Sequence, residues 1–287
     1  MRLRLTLNFA IILTVALSLL KGRAAEPVVL DFPFDCHDGL IWLKVAVREA
    51  REPLNMLLDS GANVSVINLA TARKLGLRIG QPVRVEGVDA VTTGYWPQHL
   101  RASDHTASLP ESFLAVDLGD LSQGSECTVD GLLGADFFAE HAVRVDFAKR
   151  RIVLDPTMRL NGQQVVIPLR SDHGALQIPV NVNRGSPQWV RLDTGCNSAL
   201  HWVSAKIQPG DSTPQVAVAL TKMCLPVTQT KVQIGQCVFD NVPTALHPAA
   251  IFAGEGGLLG NGLLSRFSAV TIDLPSSRVL LEKTANP

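Results

Sequence analysis

Beyond residue 25 the chain is a succession of short apolar runs rich in Val and Ile, each cut off by Gly, Pro, Asn or Asp. "LIWLKVAV", "PVRVEGV", "VRVDFAKRRIVLD", "QVAVALT", "KVQIGQCVF" and "VTIDLPSSRVLLE" are examples. Short β-branched runs bounded by turn formers read as strands, so the pattern predicts an all-β protein. One interruption has helical character. "ATARKL", Ala70 to Leu75, predicts a turn or two of helix that closes at Gly76.

The pattern repeats. A strand ending in Leu-Asp-(Ser/Thr)-Gly-x-Asn occurs at Asp59 and again at Asp193, a Gly-Leu-Leu-Gly turn at Gly131–Gly134 and again at Gly257–Gly260. A hairpin follows each turn, at Val143–Leu154 and Val270–Leu281. The spacings between copies are 134, 126 and 127 residues, taken at Asp59/Asp193, Gly131/Gly257 and Asp146/Asp273. Three features in one order at one register imply a tandem duplication. The expected halves are 26–158 and 159–287, joined near "PTMRLNGQQ", which is rich in turn formers and poor in apolar residues.

The duplicated Asp is the chemical centre of this reading. A carboxylate at the end of an apolar strand loses solvation and needs a compensating role. Duplicated domains pack about an approximate twofold axis, where equivalent loops meet. Asp59 and Asp193 would then face each other, and two carboxylates that close share one proton over a wide acidic range. Such a pair can draw a proton from water while donating one to a carbonyl oxygen. Ser60 and Thr194 offer hydroxyls to tie the two loops together, and Gly61 and Gly195 let backbone N–H groups approach the carboxylates without an obstructing Cβ.

"LLDSGANVSVI … VDGLLGADFF … VRVDFAKRRIVLD" resembles a retropepsin-type aspartic protease domain, and "VRLDTGCNSAL … GGLLGNGLLSRF … VTIDLPSSRVLLE" is similar. Two such halves in one chain resemble the bilobal pepsin-like layout, two retropepsin-like β-barrel lobes in a single polypeptide. The resemblance implies an aspartic endopeptidase in which Asp59 and Asp193 are the catalytic pair and hold the nucleophilic water. It further implies a peptide or protein substrate in an open cleft, no cofactor, and a monomer with an intramolecular pseudo-dimer. It also implies a β-hairpin flap over the substrate. The candidate is Val83 to Trp96, with Gly87, Gly94 and the sole tyrosine, Tyr95; Tyr95 and Trp96 read equally well as packing aromatics. The alternative function is a catalytically inactive protease fold kept as a peptide-binding module.

Composition narrows the field around this reading. Lys+Arg and Asp+Glu both number 26, and no basic patch is interleaved with aromatics, so a nucleic-acid partner is not expected. The seven histidines are scattered with no His-Glu-x-x-His, so no metal site is expected, and Gly-x-Ser-x-Gly is absent. "GEGGLLGNG" fits neither Gly-x-Gly-x-x-Gly nor a phosphate loop with its lysine. Residues 1–25, with Arg2 and Arg4 ahead of an apolar Leu5–Leu20 and small residues at Gly22 and Ala24, read as a signal peptide or an N-terminal anchor. The mature protein would then be exported, to a bacterial periplasm or the medium, and free of the membrane unless that segment is kept. Five cysteines allow two disulfides, with Cys224–Cys237 ranked first across what reads as paired strands.

Four positions depart from the family pattern. Arg191 stands two residues before Asp193, where the first half has Leu57, so its guanidinium either lies near the pair and lowers a pKa or points to solvent. Cys196 stands where Ala62 does in the first half, and Asn63 and Asn197 stand where Ser or Thr is common. Asn63-Val64-Ser65 is also an N-glycosylation triplet beside the proposed site, which favours a bacterial setting. His201, close after the second Asp motif, reads as structural.

Overall fold

The computed structural model describes residues 29–87, 90–102, 109–125, 127–155, 160, 162–204, 215–218 and 221–283. The signal-like segment and most of the expected junction between the halves lie outside these residues. Among the described residues no helix is long and apolar enough to cross a membrane.

Strands dominate, in three large sheets. The first half forms an eight-stranded sheet in the order Asp35–His37, Leu40–Val45, Leu54–Leu58, Gly131–Leu133, Val66–Asn68, Phe113–Val116, Ala90–Gln98 and Gln81–Gly87. The second half forms a seven-stranded sheet in the order Arg170–Asp172, Ala175–Val182, Gln188–Asp193, Gly257–Gly260, Leu200–Val203, Cys237–His247 and Val227–Ile234. Pairing of Ala175–Val182 with Val227–Ile234 closes that sheet into a barrel. A third, six-stranded sheet joins the halves. In it Ala142–Asp146 lies antiparallel to Phe267–Asp273, so the two closing hairpins sit side by side.

The alternation in these strands explains the joint. In the central pair Val143, Val145, Val270 and Ile272 point into one continuous core, which also takes Ile152, Leu154, Val279 and Leu281. On the opposite face Arg144 pairs with Glu282 from the other hairpin. Burial of this apolar row from both halves stabilises the molecule at roughly 25 cal/mol per Å².

The predicted helix is present as Leu69–Lys74, one residue earlier than its sequence signal. The Asn68 side chain accepts from the Ala70 N–H and starts it, Arg73 and Lys74 occupy the last turn, and Gly76 follows at φ +68°. The disulfide expected first is corrected. Cys237 is a free thiol at the start of its strand, opposite Ile234, whereas Cys224 pairs in a different hairpin with Gln215. The 13-residue spacing spans two successive hairpins rather than one pair of facing positions, and side chains bridge only where their Cβ atoms face each other closely.

Candidate active site

Each Asp is delivered by the same local device. Strand Leu54–Leu58 runs parallel to Gly131–Leu133, and Gln188–Asp193 runs parallel to Gly257–Gly260. The Gly-Leu-Leu-Gly element therefore lies beside the Asp strand in both halves. The Asp59 N–H donates to the Leu133 carbonyl at 2.9 Å, and Asp193 lies opposite Gly260. Both strands are apolar up to their last residue, so both carboxyls end up buried.

The two carboxyls lie within hydrogen-bonding reach of each other, so that one proton can be shared between them. Burial raises the pKa of both. It is raised well above the ordinary carboxylate range at Asp193, where the adjacent charge of Asp59 adds to the effect. The opposing influences are backbone N–H groups and one cation. Gly61 and Ala62 donate to Asp59 Oδ1 at 3.1 and 3.2 Å, Gly195 donates to Asp193 Oδ1 at 2.9 Å, and the Arg191 charge favours the ionised form of both.

Ser60 and Thr194 form a reciprocal clasp under the pair. Ser60 N–H donates to Thr194 Oγ1 at 2.9 Å, and Thr194 N–H donates to Ser60 Oγ at 3.1 Å. Each hydroxyl then donates onward across the interface, Ser60 to Leu192 O and Thr194 to Leu58 O, both at 2.8 Å. All four groups are buried and satisfied, which fixes one loop against the other. Gly61 and Gly195 are required by space. A Cβ on Gly61 would lie 2.4 Å from the Asp193 carboxyl carbon, and one on Gly195 would lie 2.4 Å from that of Asp59.

Arg191 is buried and lies beside the pair, which settles its two readings. Its Nη1 donates to Gly61 O at 2.6 Å and to Asn63 Oδ1 at 3.0 Å. Its Nε and Nη2 donate to the two oxygens of Glu255 at 3.0 and 2.6 Å, and its guanidinium lies 3.9 Å from the Phe252 ring centroid. Glu255 and Phe252 carried no sequence signal beyond their place just before the second Gly-Leu-Leu-Gly turn.

Arg191 belongs to a row that differs between the halves. Across the second sheet the register aligns Arg170, Gln177, Arg191, Leu258, His201 and Ala245. Across the first it aligns Asp35, Trp42, Leu57, Leu132, Val66 and Leu114. An apolar layer in one half is thus a polar one in the other. His201 is the counterpart of Val66, and its Nδ1 meets His247 Nε2 at 2.8 Å. Burial, with His247 beside it, lowers its pKa to about 4. The folded protein therefore refuses a proton that the unfolded imidazole accepts below its ordinary 6.5, so this contribution to stability is lost as pH falls from about 6.5 to about 4. His201→Val is expected to flatten that loss, read as the change in melting temperature between pH 7 and pH 4; an unchanged slope would remove His201 from the account.

Asn63 and Asn197 have a role that the sequence reading missed. Asn63 Nδ2 donates to His173 O at 2.8 Å, and Asn197 Nδ2 donates to Asp38 O at 3.0 Å, so each loop holds a hairpin turn of the opposite half. The turns are a further repeated feature, "CHDGL" and "SDHGA", with Asp38 and His173 at φ 53° and 50°. Their Gly39 and Gly174 lie 20 and 19 residues before the Asp of their own half, a signal that was available. Both ends of the Asn63 amide are thereby engaged, Nδ2 with His173 O and Oδ1 with Arg191. Cys196 is fully buried, and burial together with the Asp193 charge raises its thiol pKa, so it packs as an apolar residue.

The flap candidate is a hairpin, Gln81–Gly87 with Ala90–Gln98, whose turn lies outside the described residues. Gly87 pairs with Ala90 next to that turn. Tyr95 lies far down the hairpin opposite Pro82 and Ala115 and packs on the main core, and Trp96 packs on the apolar layer of the first half. Gly94 sits where a Cβ would meet Val85 and Leu114 at 2.7 and 2.9 Å. Among the described residues no three His, Cys, Asp or Glu side chains are grouped to hold a metal.

A family model described as aspartyl protease matches residues 43–137. Among solved structures, conglutin gamma, a basic 7S globulin from lupine seeds, is similar with a TM-score of 0.52 at 11% identity, covering 91% of this chain and 96% of its own. Basic 7S globulin from soybean gives 0.53 at 10% identity, with 90% and 96% covered. At these identities the likeness is one of fold. No curated protein matches. The segment 43–137, which carries Asp59 and the first Gly-Leu-Leu-Gly turn, thus matches the aspartyl protease family model, within a chain that has the all-β, bilobal fold of an aspartic protease.

Proposed function

We propose that the chain is an aspartic endopeptidase, with lobes 26–158 and 159–287 and the dyad Asp59/Asp193 between them. The observation that carries this reading is a pair of buried carboxyls within hydrogen-bonding reach of each other, held by the reciprocal Ser60/Thr194 clasp. A water placed between them loses a proton to the ionised Asp59 as its oxygen attacks the scissile carbonyl. The proton on Asp193 passes to the carbonyl oxygen, giving a neutral gem-diol. Asp59 then gives its proton to the amide nitrogen while a gem-diol hydroxyl returns one to Asp193, so the C–N bond breaks as the carbonyl re-forms, and the dyad is left singly protonated as it began. Substrates are peptides or proteins met after export, and the flap hairpin Gln81–Gln98 covers them. No cofactor or nucleic acid takes part, and the working form is a monomer.

The test is digestion of a diverse peptide mixture by Glu26–Pro287 between about pH 3 and 7, read by mass spectrometry. Internal cuts that vanish in Asp59→Asn and Asp193→Asn support the endopeptidase. A second reading, a peptide-binding module without turnover, is favoured by the Arg191 cation, which works against proton sharing. Silence from a folded wild type that still binds peptides would select it.

A further inference from the structure

The buried ion pair Arg191–Glu255 replaces an apolar contact. Counted back from the Gly-Leu-Leu-Gly turns, Glu255 corresponds to Val129, and Arg191 corresponds to Leu57. Leu57 and Val129 pack in the same apolar cluster. A hydrophobic pair of this kind holds such a layer as well as a buried ion pair does, since desolvation of two charges offsets most of their attraction. Stability therefore does not explain Arg191 and Glu255. Their placement does: four of the five guanidinium N–H donors are used, two on Glu255 and two on the opposite loop at Gly61 and Asn63. Leu57 makes no equivalent hydrogen bond toward the loop of Asp193, so this clamp, unlike the reciprocal Ser60/Thr194 clasp, has no counterpart from the first half.

We propose that Arg191, locked in place by Glu255, is a positioning residue for the dyad: it pins the Asp59 loop from the second Asp strand, on one side only, and makes the two carboxyls inequivalent. The inference rests on the dyad reading above. The charged and titratable groups around Arg191 are few. Asp59 and Asp193 stand ahead of it, Glu255 behind it, and Cys196 beside Asp193; Arg170 and His201 lie further along its row, His201 with His247. The neighbouring strands place uncharged Gln177 and Leu258 opposite it. Arg191 therefore supplies the cation closest to the dyad, and Glu255 balances it.

Two variants separate positioning from plain structure. Glu255→Gln keeps the shape and leaves the cation unbalanced. Arg191→Leu/Glu255→Val installs the pair that the first half already tolerates. Carboxyl ¹³C NMR of Asp-labelled protein follows the dyad whether or not the protein cleaves anything, and the alkaline limb of kcat/KM follows it in an active enzyme. The upper dyad titration is expected to move down by about one pH unit in Glu255→Gln and up by about as much in the double variant. In the double variant kcat/KM at the wild-type optimum is expected to fall about tenfold, because the Asp59 loop loses its clamp. Titrations that coincide with wild type in a folded Glu255→Gln, or that move the same way in both variants, would overturn the proposal. Should the double variant not fold, Glu255→Gln alone decides. A wild type that titrates as described but cuts nothing would refute the endopeptidase and leave this inference standing.

Discussion

Asp193→Asn is expected to lose at least about a thousandfold in peptide cleavage, and Asp59→Asn the same, at every pH between about 3 and 7. An amide at either position is isosteric and cannot exchange the shared proton, so attack on the carbonyl and its protonation are uncoupled. The Asp193 substitution should also strengthen the fold. Asp193 has a folded pKa raised well above its ordinary value by burial and by Asp59, so the folded state holds a proton that the unfolded chain has released. Stability from that proton is fully present below the ordinary carboxylate pKa and is lost as pH rises through the folded value. Asp193→Asn carries no such penalty. Its melting temperature should therefore exceed that of wild type at pH 7, with the difference closing toward pH 3. Cleavage retained in either variant would remove the dyad from the mechanism, and a lower melting temperature at pH 7 would show that the carboxyl is not held protonated by burial.

Thr194→Val is the second large effect. The substitution keeps the volume and removes one hydroxyl. The buried Ser60 N–H then has no acceptor and the Leu58 carbonyl loses a donor, both across the interface between the halves. Each orphaned buried group costs about 1–3 kcal/mol, so with two of them the variant should lose roughly 2–6 kcal/mol on chemical denaturation. Thr228→Val, on an exposed strand position, should change stability by less than about 0.5 kcal/mol. Equal effects at the two sites would mean that the clasp closes with no energetic consequence. The loss should also reduce turnover by more than the unfolded fraction explains, since the clasp lies directly beneath the dyad and sets its spacing.

The sequence by itself determined the all-β class, the tandem repeat, the helix at Leu69–Lys74 and the two apolar strands that end in Asp. Each of these is written in local spacing: period-two alternation, turn residues, and a motif that occurs twice at nearly one offset. It also contained the paired turns at Asp38-Gly39 and His173-Gly174, whose use became visible only with the Asn63 and Asn197 contacts. Tertiary structure decided what local spacing does not encode. Whether Arg191 met solvent or the dyad depended on Glu255, 64 residues away, and on Gly61, 130 residues away. Cys224 and Cys237 read as facing partners until two consecutive hairpins separated them. The polar row Arg170–Gln177–Arg191–His201 became legible only once register aligned it across five adjacent strands, with Leu258 between Arg191 and His201. A long-range partner is chosen by which surfaces remain to be buried when the halves close, and that is a property of the assembled sheets rather than of any one strand.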